Sequence, residues 1–394
     1  MGNAEFQLCE HCFRRIAIGK RIKLVALASE EKSCFVCQGM LSSLQNLVQQ
    51  ALAAAQNLEW QTFSVSSSFP KSVFVREQRI ADYLPPENFS SIKNSANAQL
   101  ISQLSALSGK KNSQRFADIV FEIDFANGKA NARALPIYIF GHYLKLSREV
   151  CQSRWHCPNC GGTGLLRLPK SSGKDCGECK GSGMNYPSVE DELGKVLTPA
   201  FGASGCSLHA SGREDVDVRA LGTGRPFVLE LKNPKKRSAD MRKLEQAFSA
   251  NERVQVIGLK SVRPTFIDAV CNSHFDKEYS ALVSADRPLS QKDADAVQRL
   301  SGTLLFQQTP KRVMARRADM VRKRQVHAIS AECAPGGKLR LRIFAEAGTY
   351  IKELISSDGG RTKPSVSEIL SCKATCDELD VVAIHDYFLE TIAP

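Results

Sequence analysis

The sequence reads as an α+β protein of two domains with a cysteine- and glycine-rich junction between them. Three observations carry that reading. Segments that alternate apolar and polar residues, the mark of half-buried strands, are interspersed with segments of helical spacing. A chain of 394 residues exceeds one ordinary domain. Four cysteines, Cys157 to Cys179, fall where one set of predicted elements ends and the next begins. The expected division is an N-terminal domain over 1–150, a junction over 151–185 and a larger C-terminal domain over 186–394.

The N-terminal domain opens on CEHC and CFVC, which place Cys9 and Cys12 before Cys34 and Cys37 with 21 residues between the pairs. A CxxC turn brings two thiolates to one ion, and two such knuckles supply the four soft ligands of a structural zinc site. MLSSLQNLVQQALAAAQ (40–56) has apolar residues at helical spacing. SFPKSVFVREQ (68–78) reads as a strand, as does FADIVFEIDFANGKA (116–130) with its alternating VFEIDF. The Ser/Asn-rich run over 88–109 reads as a loop entering a helix. PIYIFGHYLKLSREV (136–150) reads as a strand, a tight glycine turn and a basic strand.

The junction holds CPNCGGTG and CGECKGSG, with Cys157, Cys160, Cys176 and Cys179 spaced C-x2-C-x15-C-x2-C. That spacing falls in the zinc-ribbon range. The glycines permit a turn around a metal, although such a segment also reads as a glycine-rich connector. With four cysteines each, both clusters leave no coordination position open, so their expected role is structural. The units resemble the CxxCxGxG repeats of J-domain chaperones, but the chain lacks the HPD motif and has two units rather than four.

In the C-terminal domain SVEDELGKVLTPAFG (188–202) has a serine cap followed by acids, a helix start. PFVLEL (226–231), RVQVIGL (253–259) and YSALVS (279–284) read as strands, SQKDADAVQRLSG (290–302) as a helix closed by glycine, and KLRLRIFAEA (338–347) as a strand.

Composition limits the function. The formal charge is +12 and the pI about 9.1, which suits a polyanionic partner because phosphates attract Lys and Arg and release counterions on binding. No run of apolar residues reaches membrane-spanning length, and MGNAEFQLCEHC has no signal-peptide character. Eight of fourteen cysteines lie in CxxC pairs, a usage that in a reducing compartment more often holds metal than forms disulfides. A cytoplasmic protein is expected.

The most unusual stretch is SGREDVDVRALGTGRPFVLEL (211–231). Read as a strand, 213–219 puts Arg213, Asp215, Asp217 and Arg219 on one face and Glu214, Val216 and Val218 on the other. Two carboxylates between two guanidiniums suit a nucleophile or base, or simply a surface strand of cross-paired charges. A second charged run, KRVMARRADMVRKR, holds Lys311, Arg312, Arg316, Arg317, Arg322, Lys323 and Arg324 against a single Asp319. It reads as a phosphate-facing loop or β-hairpin, or as a solvated face.

HASGREDVDVRALGTGRPFVLEL resembles the signature of the tRNA pseudouridine synthases of the Pus-ten family, found in archaea and eukaryotes. FDKEYSALV (275–283) is similar to its lysine–tyrosine motif, and TPKRVMARRADMVRKRQV (309–326) to its basic stretch. AEAGTYIKELISSDGGRTKPSVSEIL (345–370) and ATCDELDVVAIHDY (374–387) are similar to its C-terminal signatures. The N-terminal CxxC pairs, YIFGHYLKLSR and the CxxCxGxG pair also match, while the insert between the second cluster's pairs is longer than the family pattern. The compact N-terminal region resembles the archaeal form.

The resemblance implies a THUMP-containing RNA-binding domain with the first zinc site at the N-terminus. It implies a catalytic domain with a mixed, mainly antiparallel central sheet at the C-terminus. It implies Asp215 as catalytic aspartate, Tyr279 as active-site tyrosine, Tyr350 and Arg213 as substrate contacts, and Lys352, on a local strand, as basic partner of the aspartate. His142, Lys145 and Arg148 would face RNA. The implied reaction isomerises uridine 54, uridine 55 or both in the TΨC arm of tRNA. The reaction needs no organic cofactor and no metal; Zn2+ is implied in a structural role only, and the protein is expected to be a monomer. The competing reading is a non-catalytic, zinc-stabilised tRNA-binding module.

Overall fold

The computed structural model describes residues 6–16, 25–82, 90–166, 173–314 and 317–387. The chain divides into two compact units. One is Met1–Pro136 with Phe201–Ser204 and Lys232–Ser238; the other is Ile137–Ala200, Gly205–Leu231 and Ala239–Pro394. The boundary expected at 150 therefore falls after 136, and the cysteine-rich segment lies within the second unit.

The first unit contains β1 (Phe6–Leu8), α1 (Glu10–Ile16), β2 (Val25–Leu27), α2 (Leu44–Ala54), β3 (Thr62–Ser68), α3 (Lys71–Ala81), α4 (Ile92–Ser108), β4 (Lys111–Asn112), β5 (Ile119–Asp124) and β6 (Lys129–Ala134). Its sheet runs β4-β3-β5-β6, with β3 and β5 parallel and β5 and β6 antiparallel. Leu47, Val48, Ala96 and Leu100 from the helices join Phe63 and Phe121 and the four N-terminal cysteines in one core. The segment 68–78, expected as a strand, is mostly helix α3. Its buried residues, Val73, Glu77 and Ile80, have helical spacing, but the central one is charged, which hides the period. Glu77 is buried because it ion-pairs with buried Arg15 of α1 and accepts the Ile92 amide at 2.7 Å. Burying either partner alone would be costly, so the pair ties the cysteine knuckle to α3 and α4.

The second unit contains β7 (Ile137–Lys145), β8 (Leu165–Leu166), β9 (Lys174–Asp175), α5 (Val189–Ala200), β10 (Gly205–Ala210), β11 (Arg219–Lys232), α6 (Met241–Ala247), β12 (Val254–Val262), α7 (Thr265–Cys271), β13 (Lys277–Ala285), α8 (Gln291–Val297), β14 (Leu304–Gln308), β15 (Val321–Ala334), β16 (Lys338–Ala345), α9 (Ile351–Ser356), β17 (Thr362–Lys363), α10 (Val366–Leu370) and β18 (Ala374–Ile384). The sheet order is β12-β7-β11-β18-β13-β16-β15-β14-β17, with β10 beside β11. The β11–β18 pair is parallel. The β12–β7, β7–β11, β18–β13, β13–β16, β16–β15, β15–β14 and β14–β17 pairs are antiparallel. Phe266, Val297, Leu354 and Leu370 from the helices bury the inward face of β13, β16 and β18.

Three local expectations fail here for physical reasons. The segment 136–150 is a single strand with no turn at Gly141; that glycine admits the Leu259 side chain, which a Cβ would meet at 2.8 Å. Residues 211–218 are not a strand. They form a loop that enters β11 at Arg219, so the alternating-face argument does not apply. β11 is then bulged between Ala220 and Arg225. Gly222, at φ +58, lies so close to β18 that a Cβ would sit 1.8 Å from the Val382 carbonyl oxygen. Tyr350 and Lys352 do not share a strand either: Tyr350 caps α9 and Lys352 lies in its first turn.

Candidate active site

The 211–218 loop is held from beneath by buried polar groups. The Lys145 ammonium, fully buried, donates to the carbonyls of Asp215 at 3.0 Å, Val216 at 2.7 Å and Val150 at 2.7 Å. Arg225 donates to the Ser211 carbonyl at 2.6 Å and pairs with Glu214 at 2.7 Å. Glu214 also accepts from the Tyr143 hydroxyl at 2.9 Å, and Gln152 donates to that hydroxyl and to the Gly212 carbonyl. Arg148 donates to the Asp217 carbonyl at 2.8 Å. Carbonyls on the inner side of an irregular segment need donors, and here Lys145 of β7, Arg225 of β11 and the intervening Arg148 and Gln152 supply them. Burial pushes the Lys145 pKa down from 10.5 to about 8 and the Tyr143 phenol up.

The Asp215 side chain faces a cavity of about 450 Å³. Arg312 donates to both its oxygens, at 2.9 and 2.7 Å, and to Glu353 at 2.7 Å, so a buried glutamate fixes the arginine that grips the aspartate. Lys352 lies 3.3 Å from Asp215 but donates to both oxygens of Asp217, at 2.8 and 2.7 Å. Burial works against the charge on Asp217, and Lys352 outweighs it, so its pKa falls below the ordinary carboxylate value. Arg213, Tyr279, Arg317, Tyr350 and Lys352 line the same cavity, joined by Lys277. Burial raises the Tyr279 phenol to about 12 and lowers Lys277 to about 8. The Tyr350 backbone is clamped by Gln307, which accepts its N–H at 2.9 Å and donates to its carbonyl at 3.0 Å.

A family model described as "Pus10, C-terminal" matches residues 138–385. The chain belongs to the Pus10 family. A curated member, "tRNA pseudouridine synthase Pus10" of Korarchaeum cryptofilum, is 37% identical over 89% of this chain and 92% of its own. The proteins of that name from Methanopyrus kandleri and Pyrococcus furiosus are 34% and 30% identical, over 91% and 97% of this chain and 81% and 96% of theirs. Among solved structures, "Crystal Structure of a Cbf5-Nop10-Gar1 Complex" is similar with a TM-score of 0.31 and 18% identity, covering 50% of this chain and 45% of that one.

Against this Pus10 framework, several residues stand where sequence reasoning did not put them. His142 pairs with Asp386 at 2.6 Å and Arg148 with Asp380 at 2.8 Å, both partly exposed, whereas Lys145 is interior and takes no part in a surface. Within the basic run, Arg312 and Arg317 line the cavity, while Arg322, Lys323 and Arg324 sit on β15. Arg322 donates to Thr309 and Arg324 pairs with Glu346. Lys311 follows β14 in a short 3-10 turn. Arg316 lies outside the described residues. Glu214, Arg225, Tyr143 and Gln152 were missed. The available signal was Arg225 at the head of an apolar run, a charge that burial must pair.

Both cysteine clusters of this chain have four thiols placed so that they could hold a metal ion. In each, the four Sγ atoms lie within 4.8 Å of one another. Thiolates at zinc-bond distance are ~3.8 Å apart in a tetrahedron, close to the Cys157–Cys176 and Cys160–Cys179 separations of 3.9 and 3.7 Å. The two CxxCxGxG units interlock. The Cys157 amide donates to the Gly183 carbonyl and the Cys176 amide to the Gly164 carbonyl, both at 2.8 Å. A Cβ on Gly164 would meet the Gly181 oxygen at 2.3 Å, and one on Gly183 the Gly162 oxygen at 2.4 Å. The amides of Gly164 and Gly183 donate to the Cys160 and Cys179 sulfurs, as thiolate ligands favour.

Proposed function

We propose that the chain is a tRNA pseudouridine synthase that converts uridine 54, uridine 55 or both in the TΨC arm, with Asp215 as its catalytic carboxylate. The observation that carries this is the Asp215 carboxylate, gripped by Arg312 in a cavity that Tyr279 and Tyr350 also line. Membership of a family whose curated members bear that activity in their names supports it.

The reaction breaks the N1–C1′ bond, turns the free uracil and forms a C5–C1′ bond; the proton lost from C5 is balanced by one gained at N1. Asp215 acts at the sugar, by attack on C1′ or by removing a sugar proton. Arg312 and Lys352 hold charge around the aspartate without leaving the site. The target base must leave its stack, which costs roughly a few kcal/mol, and stacking on the Tyr279 ring offsets about 1–3 kcal/mol of that. With its pKa raised to about 12, the Tyr279 phenol stays protonated at neutral pH and serves as stacking face and hydrogen-bond donor rather than as a standing base. The first unit takes the role of a THUMP-containing tRNA-binding domain, and zinc supplies structural cross-links at Cys9, Cys12, Cys34 and Cys37 and at Cys157, Cys160, Cys176 and Cys179.

The test is pseudouridine mapping on an unmodified tRNA transcript with wild type and Asp215→Asn. Conversion at 54 or 55 by wild type alone is expected. Conversion by both removes Asp215 from its role, and tight binding with no conversion by either moves the reading to a binding module.

A further inference from the structure

The basic hairpin carries a second feature on the face turned away from the cavity. β14 alternates cleanly: Leu305 and Gln307 are fully buried, whereas Leu304 and Phe306 are 43% and 46% exposed. Directly opposite Phe306 lie Lys323 on β15 and Lys363 on β17. Residues in register across a sheet share a face, so an exposed phenyl ring is flanked on both sides by a lysine. The Lys323 ammonium lies 5.7 Å from the ring centroid. Neither lysine forms an ion pair among the described residues. Val321, 58% exposed and in register with Gln308, extends the apolar strip along the same hairpin.

We propose that Phe306, with Lys323 and Lys363, is a stacking platform for an unpaired nucleobase of the RNA whose uridine occupies the cavity, the lysines holding the phosphates beside that base. This rests on the function proposed above. Every base has a π-face, so an exposed ring takes one without sequence preference, and flanking cations add affinity. The platform and the cavity belong to one element. Gln307, the next residue of β14, clamps Tyr350, and the connection from β14 to β15 places Arg312 and Arg317 at the cavity. An RNA held in the cavity meets this same hairpin at Arg312 and Arg317. A protein partner would favour carboxylates against the two lysines; an aromatic centre with a lysine on each side suits a nucleic acid.

The experiment measures binding of the full-length protein to an unmodified tRNA transcript and to a T-arm stem-loop, with single-turnover conversion followed in parallel. Phe306 is exposed, so its variants fold. Phe306→Ala and Phe306→Leu are expected to weaken binding about ten-fold, and Phe306→Trp to restore it. Conversion at saturating RNA stays near wild type. Lys323→Met and Lys363→Met each lower the slope of log K against log salt by about one. Dependence on Phe306 in the stem-loop places the base in the T arm, and dependence in the full transcript alone places it outside; both support the platform. Equal binding by Phe306→Leu and wild type, or by all variants, overturns it. Wild type that binds tRNA without converting it sinks the proposed activity while the Phe306 ratios still decide the platform. Wild type that binds no tRNA overturns both.

Discussion

Lys145 is the residue whose replacement best separates holding the fold from holding the Asp215 loop. In Lys145→Met the carbonyls of Val150, Asp215 and Val216 lose their donor together. Each buried acceptor left unmet costs about 1–3 kcal/mol. Against this, a buried ammonium is no longer needed; a fall in pKa from 10.5 to about 8 corresponds to ~3 kcal/mol of charge burial cost. Three unmet acceptors cost about 3–9 kcal/mol together, so after this offset global stability should fall by no more than about 6 kcal/mol. The loop carrying Asp215, however, is free to drift, and a displacement of about 1 Å costs on the order of 100-fold in rate. The expected result is a folded protein with a lower urea midpoint, tRNA affinity within about two-fold of wild type and single-turnover conversion down about 100-fold. Stability against pH gives a second reading. The folded pKa lies below the unfolded value, so the native state binds fewer protons between them, and wild type gains stability as pH rises from about 8 to about 10.5. Glu214, Asp217, Cys151 and Arg225 act on this lysine, and Lys277 titrates in the same window, so the comparison with Lys145→Met isolates its share. A folded Lys145→Met enzyme that converts tRNA at the wild-type rate would refute the reasoning.

Further outcomes follow from other contacts. Glu214→Ala leaves the Arg225 charge buried without its partner and should cost ~3–5 kcal/mol, read as a drop of roughly 10 °C in Tm; an unchanged Tm shows the pair to be dispensable. Tyr279→Phe should keep tRNA conversion within an order of magnitude, while Tyr279→Leu loses the aromatic face; equal rates for the two would remove stacking from the ring's role. If both four-cysteine groups take zinc, thiol modification of protein made in zinc-supplied medium should release two zinc ions per chain, and Cys157→Ser only one. Release of one ion by wild type would leave a single cluster loaded.

Much of the site was legible because it is written in short local motifs. CxxC pairs, the GRED run and the arginine-rich stretch announce themselves by residue type, and Asp215, Tyr279, Tyr350 and Lys352 do meet at one cavity. What was not legible is the support. Lys145 looks like a surface lysine until the bulged β11 and the 211–218 loop are placed over it. Arg312, one cation among seven, is singled out only by a fold that brings Glu353 and Asp215 to it. Helix α3 was misread because Glu77 breaks the apolar period, and the reason it can do so, Arg15, is 62 positions away. The sheet's strand order is likewise a long-range fact that no local period encodes.

That strand order has a consequence for how the enzyme comes into being. The strand bearing Tyr279 does not touch the one that leads out of the Asp215 loop. β18 lies between them, pairing Arg219 with Asp380 on one side and Tyr279 with Val381 on the other, and its Asp380 clasps both Arg219 and Arg148. A ribosome making this chain therefore produces two half-sheets that share no edge, and the carboxylate and the tyrosine stay on separate halves until Ala374–Ile384 emerges. Contacts of such sequence separation form slowly, so a product stopped before residue 374 leaves two exposed sheet edges and no assembled pocket.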